Sequence, residues 1–218
     1  MKRLQLHRHP SALLLAAQLA SLVLYPVIDD TGSGRLIFGA VGVVVVLLAL
    51  AVVNRSPATN WVAWCLALPA IGLIGTGILL GDSRWFVGSA LLESALYFYV
   101  AGGLIAYMLR DHLVTGDELF AAAATFTLLA WGFAYAYYVC QAWYPHSFTA
   151  MVSPESPRTW MELLFLSFTS LSGVGLGDIL PISAPARALV MLEEFAGVGY
   201  IATVVSRLIG LTLVRDRH

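Results

Sequence analysis

The residues with the most chemical content lie close together, in Thr159–Pro181, which reads TWMELLFLSFTSLSGVGLGDILP. At its centre, Gly173-Val174-Gly175-Leu176-Gly177-Asp178 places a glycine at every second position. Glycine takes positive φ at little steric cost, so this pattern allows a backbone that alternates in handedness and turns successive carbonyls to one side. Such a row of oxygens suits a dehydrating cation, because the carbonyls replace the ion's hydration shell. Just upstream, Thr159 and Glu162 fit a capping box, which starts a helix running to about Leu171. The apolar stretch Trp160–Leu171, twelve residues long, is too short to span a bilayer and suits a re-entrant segment. The C-terminal end of that helix then points at mid-membrane, where its partial negative charge favours a cation. Gly173 and Gly177 also spell GxxxG, a helix-packing motif in membranes. The context decides between the two. Asp178 and Pro181 end the segment at once, and a full-length apolar run comes after them. Non-helical backbone at this depth persists only where it is buried in protein or lines a watery path.

The segment Ser172–Asp178 resembles the selectivity-filter motif TTVGYGD of potassium channels. The longer stretch Trp160–Leu211 resembles the pore-helix, filter and inner-helix half of the bacterial six-transmembrane potassium-channel family. Ser172 and Gly173 fall on the two threonines, Val174, Gly175, Gly177 and Asp178 match, and Leu176 replaces the tyrosine. Arg187 falls on the arginine that often opens the inner helix, and Gly197 on its gating-hinge glycine. The resemblance implies a homotetramer in which each subunit gives one filter strand. It implies K+ at the backbone carbonyls of Gly173, Val174, Gly175 and Leu176, with no cofactor besides the permeant ion. Two departures stand out. Gly173 lacks the threonine hydroxyl and Leu176 lacks the phenol, so relaxed discrimination against Na+ is expected, with Gly173→Thr recovering most of it.

The elements that must position this segment are set by composition. Charged residues make up 11% of the 218, against roughly 25% in ordinary globular chains, while hydrophobic residues reach 59% and mean hydropathy is +0.81. A water-facing surface cannot be built from so few charges. A net charge of −1 excludes a nucleic-acid binder. Cys65 and Cys140 are too far apart in sequence for a metal or disulfide framework. Apolar runs of spanning length lie near Ala12–Ile28, Leu36–Val53, Trp61–Leu80, Trp85–Leu109, Leu119–Trp143 and Ala184–Gly210. Tyr25 and Pro26 stand where a signal-peptide cleavage site would be needed, so the first run reads as a span. The expected fold is an all-α membrane protein: six transmembrane helices, with the re-entrant pore helix and filter between helices five and six. Residues 1–110 form a four-helix membrane domain and residues 111–218 a pore domain. Six spans put both termini on one side, with eight Lys and Arg residues against four on the other. That asymmetry favours cytoplasmic termini in the cell (inner) membrane. The sequence runs only to His218 after the last span, so no nucleotide- or calcium-binding module is expected there.

The remaining candidates are few. Trp85–Leu109 holds no arginine ladder and one internal acid, Glu93, so little voltage dependence is expected. Glu93 is either a functional intramembrane acid or the partner of a polar neighbour such as Gln18. Glu193 and Glu194 lie level with the pore helix and are expected to buttress the filter from behind, since a buried acid requires partners. After Gly197, the residues Val198, Ile201 and Val205 recur at helical spacing, and a hydrophobic constriction there gates by dewetting. Trp131, Phe133, Tyr135, Tyr137, Tyr138 and Trp143 read as packing and interface belt. Tyr144–Arg158, with three prolines, reads as an outer turret. A secondary transporter is the alternative, with the broken segment as substrate site. It requires a second interrupted span, and none matches Ser172–Pro181. An intramembrane serine hydrolase would need a histidine to activate Ser172, but all five histidines fall outside the spans. No enzymatic activity is expected.

Overall fold

Capping residues set where the helices begin. In a computed structural model, which describes residues 10–29, 45, 60–110 and 115–215, Thr115 and Glu118 exchange the two bonds of a capping box (3.3 and 3.0 Å). Asp82 caps the next-preceding helix by accepting from the Arg84 amide at 2.9 Å, and Ser183 caps a later one by accepting from Ala186 at 3.3 Å. Each cap satisfies amides that a helix start leaves without partners. The helices are α1 (Pro10–Asp29), α2 (Asn60–Leu80), α3 (Ser83–Met108), α4 (Gly116–Trp143), α5 (Trp160–Leu171), α6 (Ala184–Tyr200) and α7 (Ser206–Arg215). A π-helical turn, Ile201–Val205, joins the last two.

Among the described residues, four helical stretches are long and apolar enough to cross a membrane: Trp61–Leu80, Arg84–Met108, Gly116–Trp143 and Ala184–Gly210. The expected first span is α1, whose apolar stretch Ser11–Leu24 is shorter. The expected second span, Leu36–Val53, lies outside the described residues apart from Val45.

α4 is the central post. α1, α3, α5 and α6 all pack on it, and α2 packs on α3. Polar groups join the apolar faces: Ser94 Oγ on α3 donates to the Gly132 carbonyl on α4 at 2.8 Å, and Tyr200 Oη on α6 donates to the Ala122 carbonyl at 2.6 Å. Without water to drive helices together, such close packing and bonds hold a membrane bundle. Arg207 on α7 donates to the Met108 carbonyl at the end of α3. Ser11, at the start of α1, donates its amide and hydroxyl to Asp117 at the start of α4 (3.2 and 2.9 Å).

One feature departs from an all-α fold. Strands β1 (Phe148–Ala150) and β2 (Ile179–Pro181) form an antiparallel ribbon pairing Phe148 with Pro181, Thr149 with Leu180 and Ala150 with Ile179. Ser147 extends it by accepting from the Ile182 amide at 2.9 Å. The loop after α4 is thereby tied to the chain leaving the glycine segment. Arg158, 3% exposed, organises the rest of that loop. Its guanidinium donates to the Ser156, Val152 and Ser153 carbonyls and pairs with Glu162 at 3.1 Å. Gln141 at the end of α4 holds the Arg158 backbone through both its amide and its carbonyl (3.0 and 2.7 Å).

Candidate ion-conduction site

α5 starts as the sequence implies. Thr159 Oγ1 accepts from the Glu162 amide at 3.2 Å, and Glu162 reaches back to the Thr159 amide at 2.6 Å. The helix covers Trp160–Leu171, with Leu163, Leu164, Ser167 and Leu171 buried. It ends in a Schellman arrangement. The Gly173 amide donates to the Ser170 carbonyl (3.0 Å) and the Val174 amide to that of Thr169 (2.9 Å). This geometry places Gly173 at the position after the cap, where φ is positive and glycine is favoured; φ there is 72°. The expectation for Gly173→Thr is corrected here. Gly173 is the residue that stops α5, and a β-branched residue at positive φ is a genuine outlier, so threonine cannot simply add a hydroxyl.

Beyond the cap the backbone alternates. Gly175 (φ 56°) and Gly177 (φ 73°) are left-handed like Gly173, whereas Val174 and Leu176 are not. The Thr169 carbonyl also accepts from the Gly175 amide (3.0 Å) and from Ser172 Oγ (3.2 Å). The first amides of the segment thus turn back onto the helix end. Among the described residues no donor reaches the carbonyls of Gly173, Val174, Gly175 or Leu176. A carbonyl left without a partner at membrane depth carries a large penalty unless water or an ion meets it. All of Ser172–Asp178 is exposed in the single chain, with Val174 and Leu176 each 62% exposed.

Behind this segment the two neighbouring glutamates part company. Glu193 is fully buried, bonded to Tyr137 Oη of α4 and Ser167 Oγ of α5. Glu194 is exposed. Gly197, one turn on, stands within regular α-helix. A Cβ there would lie 2.0 Å from the Leu171 carbonyl oxygen, so the glycine is required by the close approach of α6 to the end of α5. The helical irregularity comes later, at Ile201–Val205. That turn also separates the three residues expected to share one face. Val198 and Ile201 are exposed, but Val205 packs against the core, because a π-turn rotates the residues after it relative to α-helical periodicity.

Glu93 is buried and bonded to Tyr135. It is not paired with Gln18, whose amide instead donates to the Ala124 carbonyl (3.4 Å). Tyr135 in turn lies against Trp160, with ring centroids 5.6 Å apart. Trp131, Phe133, Tyr135 and Tyr137 are buried, and Trp143 is exposed at the helix end. His146 faces Glu155 at 3.8 Å, both exposed. Tyr137 and Ser167, the partners of Glu193, escape sequence reasoning. A tyrosine in an aromatic-rich helix carries no signal, but a serine inside a short apolar helix does mark a polar contact.

No curated protein and no solved structure matches the chain. A protein-family model described as "Ion channel" matches residues 94–213, from mid-α3 through the glycine segment to α7 and more than half of the chain. With that match over the helices that carry the alternating backbone, the chain belongs to the ion channel family and is a membrane protein.

Proposed function

We propose that four copies of this chain form a passive K+ channel, with the backbone carbonyls of Gly173, Val174, Gly175 and Leu176 as the ion ligands. The observation that carries the reading is the set of four carbonyls unclaimed within the described residues, on a backbone of alternating handedness at the end of a twelve-residue helix. One chain supplies a quarter of such a carbonyl ring, so the site is complete only in a fourfold homotetramer. K+ as the ion comes from the resemblance of Ser172–Asp178 to the potassium-channel filter. Reduced discrimination against Na+ is expected from Leu176, which cannot make a tyrosine's hydrogen bond, and from the missing hydroxyl at Gly173.

In this reading Glu193 braces the filter through α4 and α5, and Glu194 sits at the neighbouring subunit's side. Gly197 sets the spacing of the inner helix, and Val198 and Ile201 line the conduction path below the filter, with Val205 behind them. Residues 1–110 form the peripheral helical domain and residues 111–218 the pore domain. The contact of Ser11 with Asp117 agrees with the six-span count, in which four crossings return the chain to one face between the starts of α1 and α4. In that count Arg207 and Met108, which are in contact, lie at the same face. With the excess of basic residues there, the face is cytoplasmic in the cell (inner) membrane.

Purified protein in nanodiscs should have the mass of a tetramer, and liposomes containing it should pass K+ down its gradient without coupling to H+ or Na+. A monomeric mass, or uptake that needs a second ion's gradient, would replace the channel with a carrier.

A further inference from the structure

The bonds around Glu193 need more protons than their hydroxyls hold. Tyr137 Oη meets one carboxyl oxygen of Glu193, and Ser167 Oγ meets the other. Ser167 Oγ also lies 2.7 Å from the Ala130 carbonyl oxygen. These are three oxygen–oxygen contacts at hydrogen-bond distance, and each requires a proton between its oxygens, since facing lone pairs repel. Tyrosine and serine hydroxyls carry one hydrogen each. The Ala130 carbonyl only accepts, so the serine's hydrogen lies on that side. The tyrosine's hydrogen serves its own contact with Glu193. The Ser167–Glu193 contact is then left without a proton unless the carboxyl brings one.

We infer that Glu193 is a neutral carboxylic acid that donates its own proton to Ser167 Oγ. The result is a directed chain: Tyr137 donates to Glu193, Glu193 to Ser167, and Ser167 to the Ala130 carbonyl. It leaves α4, crosses α6 and α5, and returns to α4. Each bond polarises the next in a fully satisfied buried network. The surroundings agree. Glu193 is fully buried, and among the described residues no Lys, Arg or His forms an ion pair with it. The titratable groups facing it are Tyr137 on α4 and Glu194 on its own helix, with Cys140 beside Tyr137. None offers a positive charge, and an unpaired carboxylate in such a place is strongly disfavoured.

Glu193 is therefore a positioning residue. Its link to Ser167 and the contact of Gly197 with Leu171, one turn along α6, fix the last turns of α5, from which the glycine segment departs. Its effect on conduction rests on the proposed filter; its protonation does not.

Infrared spectra of the parent and of Glu193→Gln test the proton directly. The C=O stretch of a neutral carboxylic acid should be present in the parent and lose one component in the variant. Flux adds the positioning role. An amide presents one acceptor to Tyr137 and one donor to Ser167, so Glu193→Gln should form tetramers and conduct like the parent. Glu193→Leu strands both hydroxyls and should lower K+ flux about tenfold, the scale of leaving buried polar groups unsatisfied. An unchanged carboxylic-acid band in Glu193→Gln overturns the inference. So does a loss of assembly or flux in Glu193→Gln as deep as in Glu193→Leu. A parent that carries no K+ removes the proposed function, and the infrared comparison still decides the proton.

Discussion

Two spanning stretches of this chain are almost the same length and equally apolar, yet they do opposite work. Gly116–Trp143 has 67% of its spanning window buried inside one chain, whereas Ala184–Gly210 has 28%. The first is the post on which four helices pack. The second turns Met191, Leu192, Phe195 and Val198, each at least 60% exposed, away from the described elements of its own chain. In a bilayer an exposed apolar side chain is ordinary by itself, because lipid is as apolar as leucine. This helix packs on α5, whose end leads into the exposed Ser172–Asp178 segment with carbonyls that lipid cannot satisfy. The contrast separates the helix that builds the subunit from the helix that the proposed tetramer would cover.

Substitutions can break that contrast from either side. The largest effect is expected within the post. Trp131 is 1% exposed and packs edge-on against Tyr97 and Trp160. Trp131→Ala should destabilise the subunit by about 3–5 kcal/mol, read as a loss of denaturant resistance in detergent. Next comes the contact between the two halves. Gly197→Ala drives a methyl into the Leu171 carbonyl, and overpacking of this kind costs about 1–3 kcal/mol. Because the atom struck is backbone at the end of α5, K+ flux should fall with it; full flux would mean that α6 moves freely there. Gly173→Thr comes third. A non-glycine residue in the left-handed region costs roughly 1–2 kcal/mol, so the variant should lose K+ flux rather than gain selectivity, and bi-ionic reversal potentials would reveal a gain if the cap were dispensable.

On the exposed side the subunit should barely register the change. Phe195→Ala should leave subunit stability within about 0.5 kcal/mol and shift the mass in detergent from tetramer toward monomer. An unaltered tetramer would place the assembly contact elsewhere. The smallest effect belongs to Asp178→Asn. If Asp178 rings the outer mouth and concentrates cations, single-channel conductance should drop in dilute salt and recover at high salt, where screening shrinks to a few ångströms, about 3 Å at 1 M.

The elements of the glycine segment were legible because short-range rules govern them. A capping box three residues apart, a short apolar stretch and alternating glycines each act over short range, and the helix, its start and the alternation appear where those rules put them. The ribbon between Phe148–Ala150 and Ile179–Pro181 was not legible. Its strands are three residues long and are paired across some thirty intervening residues, so no local period marks them. Nothing in the spacing around Arg158 marks it beyond the end of the turret, although burial beside Glu162 makes it the organiser of that loop.

Composition and spacing were enough to identify the membrane as the solvent and to single out the segment that carries the proposed chemistry. Too few charges for a water-facing surface, apolar runs of spanning length, and a glycine-alternating segment too polar in backbone to face lipid can all be read along the chain. Which partner each residue serves was settled by packing between helices. Packing made Gly197 a point of contact with α5. It parted Glu193 from Glu194, placing one among hydroxyls and the other outward, and joined Glu93 to Tyr135. The physical reason is that a hydrogen bond or a close backbone contact depends on which helix lies opposite, and helices of equal length and hydropathy can be told apart only once their neighbours are in place.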